Sequence, residues 1–271
     1  MKIVVKIGTN ILTTQEGKLD LNTLRSLIHQ LCEALFERNN QVIIVTSGAI
    51  TCGSERMGLR TQSIPEKQAA ASVGQILLMN EYASFFGQKG FQVGQILLTK
   101  DCIETPVKRQ NTQNTIATLL TQGVVPIINE NDTVATDEIG VKFGDNDELS
   151  SKVAQLVDAD KLIILTDIDG VFTGNPKKDP QARLMHRIET ITDDIFNQVD
   201  DIQNNRSRGG MSSKLTYARE AAQAGIDVVI ANGKTKNILN AILANETVGT
   251  FIPAKPLSSR HSRPGENAPE V

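Results

Sequence analysis

The run Ile3-Val4-Val5-Lys6-Ile7 is apolar apart from one lysine, and it ends at Gly8. A helical stretch follows, in which the apolar residues between Leu24 and Leu35 recur at the spacing of one helix face. A second apolar run, Val42 to Val45, then closes on the small residues Thr46-Ser47-Gly48-Ala49. Apolar runs without polar alternation are typical of strands buried on both faces, which occur in parallel sheets covered by helices. This stretch therefore predicts an α/β fold.

The same alternation continues along the rest of the chain. Further strand candidates are Val93 to Leu98, Val124 to Ile128, Leu162 to Leu165 and Val228 to Ile230. Helical patterns fill the intervals, at Glu66 to Phe86, Asn111 to Thr121, Asp147 to Val157, Ser212 to Ala224 and Asn237 to Leu243. Alternating strands and helices pack as layers. We therefore predict a three-layer α/β/α sandwich around a mostly parallel sheet.

The chain of 271 residues reads as one large domain or two modest halves. The best internal boundary lies near Asp158 to Asp160, between a helix and a strand. The segment Ala135 to Phe143 is short, Gly-centred and alternating, so we expect a hairpin or flap there. After Pro253 the chain is polar with almost nothing to bury, and residues 254–271 are expected to form a disordered tail.

Composition excludes several classes of protein. Lys and Arg number 28 against 31 Asp and Glu, which leaves no basic surplus for a nucleic-acid backbone. No apolar run approaches the roughly 18 residues that span a bilayer. The three cysteines, Cys32, Cys52 and Cys102, contain no C-x-x-C pair, which excludes a disulfide framework and a cysteine zinc site. We therefore expect a cytoplasmic protein without nucleic-acid or membrane partners.

Polar clusters follow the predicted strands or begin predicted helices, where ligands bind in open α/β sheets. Each also has a purely structural interpretation, as a turn, a helix cap or a lysine reaching water. The glycines and lysines of the first and last clusters suit phosphate binding, because a helix N-terminus and exposed amides attract anions. The clusters are Lys6-Ile7-Gly8-Thr9-Asn10, Thr46-Ser47-Gly48-Ala49, Asn129-Glu130-Asn131-Asp132-Thr133, Gly144-Asp145-Asn146-Asp147, Leu165-Thr166-Asp167-Ile168-Asp169-Gly170 and Arg208-Gly209-Gly210-Met211-Ser212-Ser213-Lys214.

Together these clusters favour phosphoryl transfer over acyl transfer. The chain has no Walker A loop and no G-x-S-x-G nucleophile elbow, and its three histidines lack ligand spacing. Two lysines on separate glycine turns supply the charge neutralisation that phosphoryl transfer requires. A carboxylate acceptor is ionised at neutral pH and needs no general base.

Six motifs in this order make the chain resemble the amino acid kinase family, over Lys6 to Lys214 and on to about Ile252. The motifs are Val5-Lys6-Ile7-Gly8-Thr9, Val45-Thr46-Ser47-Gly48-Ala49-Ile50, Asn129-Glu130-Asn131-Asp132, Phe143-Gly144-Asp145-Asn146-Asp147, Leu165-Thr166-Asp167 and Gly209-Gly210-Met211-Ser212-Ser213-Lys214. The resemblance implies the fold of that family and transfer of the γ-phosphoryl group of ATP to the side-chain carboxylate of L-glutamate, the first step of proline biosynthesis. Mg²⁺ would be the cofactor, carried mainly by ATP, with no protein ligands assigned.

The resemblance also implies roles for individual residues. Lys6 and Lys214 would stabilise the moving phosphoryl group, and Asp145 would hold both lysines in place. Ser47, Asp132 and Asn146 would bind glutamate, with Asp147 helping to orient it. The expected ATP contacts are Lys6, Thr166, Asp167, Arg208, Gly209, Gly210, Met211, Ser212, Ser213 and Lys214.

Further expectations concern organisation and partners. Residues 1–253 would form one kinase domain, with the amino acid bound by about 1–160 and the nucleotide by about 161–253. Many bacterial relatives add a C-terminal RNA-modification-type (PUA) domain, and none is expected here. Proline would act as feedback inhibitor, the chain would form a homo-oligomer, and a glutamyl-phosphate reductase would accept the product. The alternatives are phosphorylation of acetylglutamate or UMP, or a non-catalytic amino-acid sensor on the same fold.

Overall fold

The computed structural model describes residues 1–38, 40–61, 63–135, 145–176, 179–200 and 210–255. Its strands are β1 (Lys2–Ile7), β2 (Gln41–Val45), β3 (Gln92–Leu98), β4 (Val124–Glu130), β5 (Lys161–Thr166), β6 (Asp227–Asn232) and β7 (Thr250–Ile252). Its helices are α1 (Thr9–Leu12), α2 (Leu21–Arg38), α3 (Ala49–Met57), α4 (Ile64–Gly87), α5 (Asp101–Glu104), α6 (Pro106–Thr121), α7 (Asn146–Leu156), α8 (Asp193–Asp200), α9 (Met211–Gln223) and α10 (Ile238–Leu243).

The strands form one sheet of seven in the order β3-β4-β2-β1-β5-β6-β7. Strands β1 to β6 pair in parallel, and β7 runs antiparallel to β6 at the edge. Because the six parallel strands point the same way, their carboxyl ends meet at one edge of the sheet. The predicted mostly parallel α/β/α sandwich is confirmed.

Alternate residues of the central strands enter two separate hydrophobic cores, one on each face of the sheet. In β1, Val4 belongs to the core shared with α7 and α9, while Val5 belongs to the core shared with α2, α4 and α10. In β5, Ile164 and Ile163 divide in the same way. Burial on both faces explains why the strands are continuous apolar runs in the sequence.

Side-chain caps fix where the two long helices of one layer begin. Asp20 accepts the backbone N–H of Thr23 at 3.0 Å, so it caps α2. Ser63 and Glu66 form a capping box before α4, with each side chain accepting the other residue's backbone N–H. Such caps satisfy backbone donors that have no partner inside the helix.

Helices α3 and α4 cross at two glycines, Gly53 and Gly74. A Cβ built on Gly74 would lie 1.8 Å from the carbonyl oxygen of Ala49, and one on Gly53 would lie 1.8 Å from that of Ala70. No side chain fits either position, so the two backbones are in direct contact. Gly48, which precedes α3, has φ of +95°, a left-handed conformation that glycine adopts without strain.

The structure adds elements that the apolar pattern did not predict, including α3, α8 and β7. Ala254, the first residue of the predicted tail, donates its N–H to Asp227 at 2.9 Å, and Lys255 donates to Ala222 at 2.8 Å. These two residues are therefore still attached to the domain. The rest of the tail and nearly all of the predicted flap, residues 136–143, lie outside the described residues. No described helix is long and apolar enough to cross a membrane.

Candidate active site

An ion-pair triad of Lys6, Asp147 and Lys214 lies at the carboxyl edge of the sheet. Nζ of Lys6 is 2.7 Å from Oδ1 of Asp147, and Nζ of Lys214 is 3.0 Å from Oδ2. The carboxylate side chain is fully buried, and each lysine side chain is 8% exposed. Burial alone would raise the pKa of Asp147, but the two ammonium groups outweigh burial and hold the pKa below its ordinary value. The carboxylate therefore stays ionised and positions two cations side by side.

The expectation that Asp145 holds both lysines is wrong, because Asp147 does so. Asp145 is the N-cap of α7, and its Oδ1 accepts the backbone N–H groups of Asp147 at 2.8 Å and Glu148 at 3.1 Å. Its Oδ2 accepts the hydroxyl of Ser213. A cap residue turns its carboxylate back toward the first helical amides, so the carboxylate of Asp145 binds backbone amides of α7 and the hydroxyl of Ser213. Asp145 thus connects the start of α7 with the start of α9.

The side-chain amide of Asn146 connects the start of α7 with the loop after β2 and the end of β4. Its Nδ2 lies 2.6 Å from the carbonyl oxygen of Thr46, 2.8 Å from Oγ of Ser47 and 3.0 Å from Oδ1 of Asn129. Thr46 and Ser47 lie in the loop after β2, and Asn129 is next to the last residue of β4. Two of the residues expected to bind substrate, Ser47 and Asn146, are therefore in direct contact.

Two residues of α4 form hydrogen bonds to this network, and the sequence analysis did not single out either of them. Asn129 donates its Nδ2 to Oε1 of Gln75 at 2.8 Å, and both side chains are buried. The hydroxyls of Thr46 and Tyr82 are 3.0 Å apart in the core. Burial raises the pKa of Tyr82, so its phenol stays protonated and available for this hydrogen bond. Long-range contacts of this kind have no local pattern in the sequence.

Glu148 is a further buried residue of the site that was not expected. Its carboxylate accepts the hydroxyl of Tyr217 at 3.2 Å and lies 3.6 Å from Nζ of Lys100. Burial raises the pKa of Tyr217, and the negative charge of Glu148 raises it further. The hydrogen bond between Glu148 and Tyr217 joins α7 to α9 beside the triad.

Asp132 lies in the turn after β4, where Ala135 donates its N–H to the carbonyl oxygen of Asn131 at 3.0 Å. Its side chain is half-buried. The turn stands at the same edge of the sheet as Asn129, because Asn129 is next to the last residue of β4 and the turn follows that strand. The structure therefore places Asp132 at the same edge of the sheet as the network around Asn129 and Asn146.

The residues expected to contact ATP lie at the end of β5 and at the start of α9. Thr166 ends β5 and is buried, while Asp167 is exposed and accepts Nδ2 of Asn10 at 3.1 Å. Gly210 is the N-cap of α9, followed by Met211, Ser212, Ser213 and Lys214 in its first turn. Amides at such a helix start attract phosphate. Arg208 and Gly209 lie outside the described residues.

The described residues contain no group of three or more His, Cys, Asp or Glu side chains that could hold a metal ion. Within the triad, both oxygens of Asp147 already face ammonium groups. The positive charge that the triad offers to an anion therefore comes from Lys6 and Lys214.

Comparisons with known proteins show the family to which the chain belongs. The sequence model described as "Amino acid kinase family" matches residues 1–232. A glutamate 5-kinase of Caldanaerobacter subterraneus is 44% identical over 264 residues, covering 96% of this chain and 70% of that protein. A glutamate 5-kinase of Listeria innocua is 43% identical over 258 residues, covering 94% of this chain and 93% of that protein.

Two solved structures share the fold at low sequence identity. The UMP kinase of Bacillus anthracis has a TM-score of 0.63 at 18% identity and covers 94% of this chain and 96% of its own. An isopentenyl phosphate kinase has a TM-score of 0.64 at 20% identity and covers 93% of this chain and 100% of its own. At these identities the likeness concerns the fold alone.

Proposed function

The chain belongs to the amino acid kinase family, and from that premise we propose that it phosphorylates the γ-carboxylate of L-glutamate with ATP. The product is L-glutamyl 5-phosphate, and the reaction is the first step of proline biosynthesis. The observation that carries the proposal is the Lys6–Asp147–Lys214 triad, in a chain 44% identical to a glutamate 5-kinase.

The triad suits the chemistry of a carboxylate acceptor. A carboxylate oxygen of glutamate forms a bond to the γ-phosphorus, while the bond from that phosphorus to the bridging oxygen breaks and ADP leaves. No proton moves, so no general base is required. Negative charge is shared by donor and acceptor during the transfer, and Lys6 and Lys214 neutralise it at a position fixed in advance by Asp147.

The substrates are held on either side of the triad. We assign glutamate to Ser47 and Asn146, whose side chains are in contact, and to Asp132, whose charge complements an α-ammonium group. ATP is assigned to Thr166 and Asp167 and to the first turn of α9, from Gly210 to Lys214. Mg²⁺ arrives with the phosphates of ATP. We assign it no ligand from the chain.

Partners and organisation follow from the same proposal. Residues 1–253 form one kinase domain in the cytoplasm. The chain assembles as a homo-oligomer and passes its product to a glutamyl-phosphate reductase. Proline acts as a feedback inhibitor that competes with glutamate, since it carries the same α-carboxylate and a cationic nitrogen. Initial rates over a glutamate series at several proline concentrations test this, and a fall in kcat at saturating glutamate would contradict competition.

A hydroxylamine trap tests the activity directly. Purified chain, ATP, Mg²⁺ and glutamate are expected to yield the γ-hydroxamate, with ADP released in equal amount. Acetylglutamate and UMP serve as alternative acceptors in parallel assays, and neither is expected to support ADP release. Hydroxamate formation only with acetylglutamate, or ADP release only with UMP, would reassign the substrate. Glutamate binding without ADP release would indicate a sensor.

A further inference from the structure

A cavity of about 300 Å³ opens at the edge of the sheet opposite to the candidate active site. Lys161 is the first residue of β5 and lines this cavity, whereas Thr166, the last residue of that strand, stands at the active-site edge. At 3.3 Å per residue the two ends are about 17 Å apart. The cavity is therefore separate from the proposed kinase site.

Lys161 is a buried cation with little to neutralise it. Only 7% of the residue is exposed, and its Nζ donates to Oδ1 of Asn245 at 3.5 Å, the outer limit of a hydrogen bond. Among the described residues no ion pair with Lys161 forms, whereas the equally buried Lys6 and Lys214 share Asp147. An ammonium group has three donors, and burying its charge without a partner is costly.

The walls of the cavity combine apolar surface with the guanidinium of Arg187, whose charge is already paired with the exposed Glu189. Val229 and Ile242 are buried, and the guanidinium of Arg187 lies over the ring of Phe251 with Cζ 5.1 Å from its centroid. Glu246 is the one carboxylate among the described lining residues, and it is exposed, so water screens its charge.

We propose that this cavity is a binding site for a small organic carboxylate with a compact apolar body. One buried ammonium matches one carboxylate charge, and the apolar walls match a short branched hydrocarbon. The volume is at the lower end of the range for small-molecule sites. Inorganic phosphate fits less well, because it would place a more strongly hydrated group against the buried Val229 and Ile242.

Methyl NMR of the full chain, with isoleucine and valine methyls labelled, gives a readout that does not depend on kinase activity. Isovalerate is the probe. Isopentanol has the same carbon skeleton without the charge, and inorganic phosphate has charge without the skeleton. We expect saturable shifts at Val229 and Ile242 with isovalerate, and binding weaker by roughly tenfold or more for the other two compounds.

Three variants assign the binding to this cavity. Lys161→Met keeps a long side chain without charge, and Val248→Phe fills the cavity while leaving Lys161 in place. Each is expected to weaken isovalerate binding by about tenfold or more. Lys214→Ala, which alters the kinase site, is expected to leave it unchanged.

Thermal melts establish whether each variant is folded. If one of the two cavity variants, Lys161→Met or Val248→Phe, does not fold, the other is used for the test. Three results would overturn the proposal: no saturable shift at Val229 and Ile242, undiminished binding by a folded cavity variant, or phosphate binding as tight as isovalerate.

Discussion

The side-chain amide of Asn146 donates to the backbone carbonyl oxygen of Thr46 at 2.6 Å, although the two residues are 100 positions apart in the chain. The bond joins the start of α7 to the loop after β2. It therefore sets the distance between the residues proposed to bind glutamate and the triad proposed to act on it.

Replacing Asn146 by aspartate tests this junction. Asn146→Asp would turn a donor into an acceptor that faces the oxygens of Thr46, Ser47 and Asn129. We expect kcat/KM for glutamate to fall by about 10- to 100-fold, because each lost charged or buried hydrogen bond costs roughly 1.5–3 kcal/mol. Steady-state kinetics measure it. The exposed Asn114→Asp is the control, and an equal loss there would contradict the assignment.

Removing Lys214 is expected to reduce kcat more than it raises KM for glutamate. The charge of Lys214 matters most when negative charge is shared during transfer, and losing such a stabiliser typically costs about 10²–10³ in rate. Lys152, whose ammonium forms a half-exposed pair with Glu220 at 2.9 Å, provides the matched control. Lys152→Ala is expected to keep full activity. Wild-type kcat in Lys214→Ala would remove this lysine from the mechanism.

Asp147→Asn is expected to destabilise the chain in a pH-dependent way. The folded pKa of Asp147 lies below the ordinary 3.8, so its ionised form contributes stability that is present above that pH and lost as pH falls through the folded pKa. Breaking a buried ion pair by removing one partner costs about 3–5 kcal/mol.

Urea unfolding of the wild-type protein and of Asp147→Asn checks this expectation. The measurements cover about six pH units, from about pH 8 downward. The difference in unfolding free energy should be constant near neutrality and shrink in the acid range below the ordinary pKa of 3.8. A difference that grows on acidification would have the wrong sign for a depressed carboxyl pKa.

Two alanine substitutions in α4 compare a glycine at the crossing with α3 and a glycine with open space around it. Gly74→Ala would place a Cβ 1.8 Å from the carbonyl oxygen of Ala49, so we expect a loss of about 3 kcal/mol or failure to fold. A Cβ on Gly87 meets nothing within 4 Å. Gly87→Ala is expected to change stability by less than about 1 kcal/mol, in the stabilising direction. Similar melting temperatures for the two variants would contradict the close crossing.

Local sequence was sufficient for most of the fold. Most parallel strands are largely apolar runs that end at a polar turn, and Leu24 to Leu35 carries the helical spacing that α2 confirms. The short edge strand β7 was missed because Thr250-Phe251-Ile252 is too brief to show a period. Helix α3 was missed because its contact with α4 uses glycine backbone, which leaves no apolar stripe.

The site was less accessible to sequence reasoning than the fold. Asp145 and Asp147 are separated by one residue at a helix start, and only their orientation distinguishes a cap from a partner of the lysines. Gln75 reaches the site through a contact 54 residues away in sequence, at Asn129. The remaining substrate and nucleotide assignments stay predictions.

The triad also bears on the order in which the chain can fold as it is synthesised. Lys6 leaves the ribosome first and Asp147 later, but Lys214 follows Asp147 by a further 67 residues. Until then, a nascent chain that docks α7 must bury this carboxylate against one cation instead of two, which is unfavourable. Docking of α7 is therefore expected to stay reversible until α9 emerges. The two lysines of the proposed phosphoryl-transfer site thus also join the first strand of the domain to a helix near its C-terminal end through one buried carboxylate.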